Sequence, residues 1–137
     1  MVKKFDAQKH FVSKPAYEVV PVMEVKGRAH AMTLMSNALV PGSNFYIETG
    51  WIFGMPDPNP HIQEHAHDYD EMIINLGTDP KNPEDLGGEV VGFLGDEKHI
   101  LNKTSAVFIP RNVEHGVAGF NRFDRPYILM NIKLRGK

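Results

Sequence analysis

His61-Ile62-Gln63-Glu64-His65-Ala66-His67-Asp68-Tyr69-Asp70-Glu71 is the stretch on which the reading of this chain turns. In an extended backbone, residues two apart project from one face about 6.5 to 7 Å apart, so His65 and His67 can bring two imidazole nitrogens onto one cation. Glu71 follows a polar triplet able to turn tightly. It then opens an apolar run, where a carboxylate is out of place without a partner. A metal ion would be such a partner.

Working outward, a fourth candidate ligand lies 44 residues beyond Glu71, in Phe108-Ile109-Pro110-Arg111-Asn112-Val113-Glu114-His115. Here a strand is expected to end at Pro110 and a new one to carry His115. Three imidazoles and one carboxylate form a mixed nitrogen and oxygen set suited to Fe(II), Mn(II), Ni(II), Cu(II) or Zn(II). Such a set leaves open positions in six-coordinate geometry for a substrate or dioxygen. The donor set does not choose among these ions.

The rest of the chain bounds what such a site could belong to. Its 137 residues suit one domain, with no room for a separate cofactor domain. Fifteen basic against 17 acidic residues give a net charge of -2 with no basic stripe, which argues against a nucleic-acid partner. The 12 glycines and 10 prolines favour short elements with many turns. With no cysteine, disulfides, thiolate catalysis and thiolate metal sites are excluded. The opening residues contain no apolar export segment, and no run approaches the roughly 18 residues of a membrane span. The expectation is a cytoplasmic protein with no membrane partner.

Strand signals recur at spacings of roughly 8 to 12 residues. Residues 3–15 read as an arm. Tyr17 to Val22 reads as an edge strand because Pro21 cannot donate to a ladder, and it could pair across a homodimer. Ala29 to Val40 is read as a strand, and Asn44 to Phe53 as another, followed by a stiff proline-rich loop. Glu71 to Leu76 leads into a polar surface connection from Gly77 to Gly88. Glu89 to Leu94 and Lys98 to Leu101 flank Gly95-Asp96-Glu97 as a hairpin. Ser105 to Ile109, Val113 to Gly116 and Tyr127 to Leu134 complete the series. No βαβ unit is visible, so the fold class is all-β and antiparallel. Residues 1–40 are expected to supply the arm and edge strands and residues 41–137 one β-barrel domain.

At these residues the sequence resembles the cupin superfamily. Its first motif, H-x-H followed by three or four residues, E and a later Gly, matches His65, His67, Glu71 and Gly77. Its second, P-x-G-x-x-H, matches Pro110 to His115 with Asn112 in place of the Gly. The resemblance implies a double-stranded β-helix, or jelly-roll barrel, with His65, His67, Glu71 and His115 as metal ligands. Asn59, Thr104, Asn112 and Gly119 depart from the family pattern at positions that are not ligands. Asn tolerates positive φ, so Asn59 and Asn112 are expected to keep the turns. Related cupins of this size include dioxygenases, isomerases, lyases and decarboxylases.

Other residues are read by parity. Tyr46 and Glu48 share a face of their strand and are candidate acid/base groups beside the metal. Trp51 and Phe53 take the other face, and most of these rings are expected in the core. Ile73 and Asn75 share the face of Glu71. Val113 and Val117 are expected to wall the pocket with His115. His61 reads as a solvated loop residue or a pocket group, His10, His30 and His99 as surface histidines, and Arg111 as solvated. The leading functional expectation is a metalloenzyme for a small oxygen-rich or carboxylate metabolite, with an Fe(II)-dependent dioxygenase as one form. The alternatives are a non-catalytic small-molecule binding barrel and a metal-free structural barrel, against which the intact ligand set argues.

Overall fold

In the computed structural model, residues 4–18, 24–62 and 64–134 are described. Among the described residues, ten strands follow a single 3₁₀ turn at Ala7–His10: β1 (Ala16–Tyr17), β2 (Lys26–Arg28), β3 (Met32–Met35), β4 (Phe45–Asp57), β5 (Asp70–Gly77), β6 (Asp85–Leu94), β7 (Glu97–Lys103), β8 (Ser105–Ile109), β9 (His115–Phe123) and β10 (Tyr127–Leu134). Every pairing among them is antiparallel. One sheet runs β1-β3-β4-β10-β5-β8, with β2 also on β4, and the other runs β7-β6-β9. This is the jelly-roll arrangement expected of the all-β reading. Among the described residues no helix is long and apolar enough to cross a membrane.

The two sheets meet through Ile52 and Tyr127 on one side and Leu86, Val90 and Phe120 on the other. Full burial of each such side chain contributes about 1.5 to 3 kcal/mol, which makes this end the stable closure of the barrel. Burial also pushes the Tyr127 hydroxyl up to about 12. Gly77 closes β5 where a Cβ would run into the Asp85 carbonyl oxygen, so only glycine lets β5 pass β6. Thr104, where the cupin resemblance led to the expectation of glycine, ties this corner. Its hydroxyl donates to Pro83 O (2.6 Å) and accepts from the Gly77 N–H (2.9 Å).

Several boundaries differ from the sequence reading. Only Ala16–Tyr17 of the first edge strand is a described strand; residues 19–23 lie outside the described residues. Ala29 to Val40 is strand only over Met32–Met35, because Asn37 to Leu39 turn. The supposed surface connection ends early: β6 already begins at Asp85, with Leu86 fully buried. The proline-rich segment is not all loop, since β4 continues to Asp57. Lys26–Arg28, unremarked in the sequence, pairs with β4.

The largest correction concerns β4. Glu48 lies opposite Asn131 and Asn131 opposite Ile73, so Tyr46, Glu48 and Ile52 face inward with them. Trp51 and Phe53 therefore point outward and are 38% and 55% exposed, not core. The outer rows of this sheet are apolar throughout its middle. One runs Met35, Ile47, Ile132, Met72, Phe108 across β3, β4, β10, β5 and β8. The next runs Met32, Thr49, Met130, Ile74, Ala106.

Candidate metal centre

Glu71 sits at the start of β5, and the backbone carries His65 and His67 just before it. His65 is brought to His115 by a two-residue antiparallel bridge: each backbone N–H donates to the other residue's carbonyl at 2.9 Å. The turn before His115 passes through Asn112 at φ 65, a left-handed conformation that asparagine tolerates, and its N–H donates to His67 O. That part of the asparagine expectation holds. Asn59 instead works through its side chain, whose amide donates to Phe120 O (2.7 Å) and accepts from Phe120 N (2.8 Å).

The four side chains converge. One donor atom from each of His65, His67, Glu71 and His115 lies within 4.8 Å of all the others. The His65 and His115 rings are 4.3 Å apart between centroids, and His65 and His67 4.6 Å. Glu71 and His115 are almost fully buried. His115 Nδ1 lies 3.0 Å from Val113 O, which can only accept, so a neutral ring carries its proton there and keeps a lone pair on Nε2. That lone pair faces Glu71 Oε1 at 3.0 Å, and neither buried atom has a hydrogen bond among the described residues. Two facing acceptors repel unless a positive charge lies between or beside them, so the donor set fits a divalent cation. His67 stacks on Tyr69 at 4.7 Å, and burial, opposed in part by Glu71, lowers its pKa toward the neutral, metal-competent form.

A cavity of about 340 Å³ opens beside these ligands. Its walls are mainly apolar, with Ile73, Val90, Leu101, Val117, Phe120 and Leu129 among them. Asn75 and Asn131 bring two amides into it, and His99 reaches its lining. The parity reading of Ile73 and Asn75 thus places both in the cavity with Glu71. Val117 lines it; Val113 does not, and serves the site through its carbonyl.

Tyr46 and Glu48 are brought together, the Tyr46 hydroxyl donating to Glu48 Oε2 at 3.1 Å with Thr33 Oγ1 at 3.2 Å from the same hydroxyl. They are not part of the cavity lining. Tyr46 lies opposite Lys133, which lies opposite Glu71, so two strand spacings, about 10 Å, separate their backbones. Lys133 Nζ sits 5.1 Å from the Tyr46 ring centroid. Sequence reasoning missed Lys133 and Asn131; their parity was legible only with the β10 register in hand.

His61 stacks on Phe120 at 5.2 Å, and neither of its ring nitrogens is hydrogen-bonded among the described residues. Burial, helped by Arg28, lowers its pKa to about 4. His10 sits at the surface beside Asp6 O and the Phe5 ring, whereas His99, near Glu97, also lines the cavity, which the surface reading did not anticipate.

No protein-family model and no curated protein sequence matches the chain. Solved structures do match its fold. A predicted oxalate decarboxylase from Thermotoga maritima superposes with a TM-score of 0.57 at 13% identity, over 90% of this chain and 95% of that one. An RmlC-like cupin from Shewanella frigidimarina gives 0.56 at 14%, over 93% and 92%. The polyketide cyclase RemF from Streptomyces resistomycificus gives 0.54 at 17%, over 97% and 79%. The fold is that of the cupin superfamily.

Proposed function

We propose that this protein is a metal-dependent enzyme in which His65, His67, Glu71 and His115 hold one divalent transition-metal ion, Fe, Mn, Ni, Cu or Zn. A small oxygen-rich or carboxylate metabolite enters the cavity beside it. The observation that carries this reading is the buried, unbonded pair of acceptors, Glu71 Oε1 and His115 Nε2, 3.0 Å apart. When bound, the ion would supply Lewis acidity to a ligand oxygen.

The chain's own residues divide the remaining work. Asn75 and Asn131 orient polar atoms of the ligand, and the apolar walls exclude water from it. The Tyr46 and Glu48 pair is proposed as the catalytic proton-handling group, Glu48 holding the proton-accepting carboxylate. The oxalate decarboxylase and cyclase among the structures of this fold support an enzymatic reading. A binding-only barrel is the competing reading, favoured by the position of Tyr46 and Glu48 outside the cavity lining. The composition further supports a cytoplasmic protein that engages neither nucleic acid nor membrane.

The test is elemental analysis of protein purified without chelator, repeated on His65→Ala, His67→Ala and His10→Ala. About one equivalent per chain is expected in the parent and in His10→Ala, and little in the other two. Iron would direct assays to dioxygen consumption, as a dioxygenase requires; zinc, manganese or nickel would direct them to isomerase and lyase chemistry. Unchanged metal in both ligand variants would overturn the site. Ligand-dependent spectral change without turnover would leave the binding barrel.

A further inference from the structure

The register of the smaller sheet sets the residues of its inner face in three rows. Leu101, Val90 and Phe120 form the first, His99, Gly92 and Val117 the second, and Glu97, Leu94 and His115 the third. All but Glu97 line the cavity. The first row is apolar and belongs to the barrel's closure, and the third ends in a candidate metal ligand. The second carries an imidazole at one end and no side chain at its centre.

Outside the four candidate ligands, His99 is the one ionisable side chain in the lining among the described residues. It is 58% exposed, which puts it at the cavity mouth, and its Nε2 lies 3.9 Å from Glu97 Oε2. Among the described residues the ring has no hydrogen bond, so it can still offer an N–H to a ligand. Gly92 leaves the way from His99 to His115 open. Packing does not demand a glycine there, because a Cβ would meet Leu101 Cδ1 at 3.4 Å and Gly116 O at 3.7 Å, both ordinary contacts.

Size points the same way. The cavity of about 340 Å³ holds the volume of about eleven waters at about 30 Å³ each, and a two-carbon acid on the ion would leave most of it unfilled. His99 and His115 stand two strand spacings and two residues apart, about 12 Å between backbones. An extended chain of six carbons covers about 6 Å of this at about 1.2 Å per bond, and the two rings reach across much of the remainder.

We propose, resting on the metal reading above, that the ligand is a two-ended acid. Its near end lies at the ion, an apolar chain of about six carbons crosses Gly92 beside Val117, and its far carboxylate is bound by His99. His99 is thus a specificity-determining residue for the length and the terminal charge of the ligand.

Calorimetric titration of the zinc-loaded protein with oxalate, hexanoate and adipate tests this. Adipate should bind about tenfold more tightly than hexanoate, about twofold from its two equivalent ends and the rest from a charge contact at a half-exposed site. In His99→Ala the ratio should fall to about two with hexanoate affinity unchanged. Gly92→Val should weaken both six-carbon acids at least about tenfold and leave oxalate alone. A parent ratio near two, or one that His99→Ala does not alter, would overturn the proposal and pass the far end to the amides of Asn75 and Asn131. Binding of oxalate without either longer acid would also overturn it while leaving the metal reading intact. Protein that takes up no zinc would sink both. The parent ratio needs no variant, so it decides the matter even if a substituted chain does not fold.

Discussion

The two faces of β4, β10 and β5 differ in chemistry: the inner one sets polar groups among the apolar Ile52, Ile73, Tyr127 and Leu129, and the outer one is mainly apolar. Toward the interior they carry Glu48, Asn131, Glu71 and Asn75; toward the exterior Ile47, Ile132, Met72 and Trp51. Inside, polar groups are tolerated where they face a cavity, one another or an ion, and buried acceptors without a donor are costly otherwise. Outside, apolar rows lower the free energy only when something covers them. The proposed site lies on the inner face, and each face should respond to its own substitutions.

Glu71→Gln tests the inner face most severely. It keeps the shape of the side chain and removes its charge, so metal affinity should fall by more than the about 100-fold typical of changes outside the ligand set. A competition titration against a chelating dye would measure this, with the molecular mass unchanged. If mass changed and metal affinity did not, the two faces would not be separable. Phe108→Lys is the converse case: it changes an exposed position of the outer face, and metal per chain should stay the same. Loss of metal in that variant would tie the site to the outer face.

A smaller effect distinguishes metal release from protonation elsewhere in the interior. The folded His61 ring stays neutral down to about 4, whereas in the unfolded chain it takes a proton near 6.5. The unfolded state therefore binds more protons as pH falls from about 6.5 to about 4, and stability declines over that window. His61→Phe preserves the stack on Phe120 and should flatten part of this decline in metal-free protein. Parallel melting-temperature curves for parent and variant between pH 7 and pH 4 would refute the assignment.

Much of this architecture could be read in advance, and the failures share a physical cause. The candidate ligands were legible because their types are unusual at those spacings: two histidines in alternation, then a carboxylate opening an apolar strand. The Gly95-Asp96 hairpin was legible from turn chemistry, and indeed β6 and β7 meet there. Alternation in β4 correctly grouped Tyr46 with Glu48 and Trp51 with Phe53, but it carries no sign. Assigning the aromatic face to the interior follows the hydrophobic effect within one chain, and the reverse holds where the interior is a site. Asn131 and Lys133 acquire meaning only through the pairing of β10 with β4 and β5, contacts between residues more than 50 apart that no local pattern encodes.

The bridge between His65 and His115 separates position from identity. Both residues are held by main-chain hydrogen bonds that any non-proline amino acid can make. Exchanging an imidazole for a carboxylate at either position would alter hardness and charge of the donor set while leaving those two bonds in place. For the proposed ion, preference would then rest on the side chains while the backbone bonds stay as they are, so that a change of chemistry could arrive one substitution at a time without rebuilding the barrel.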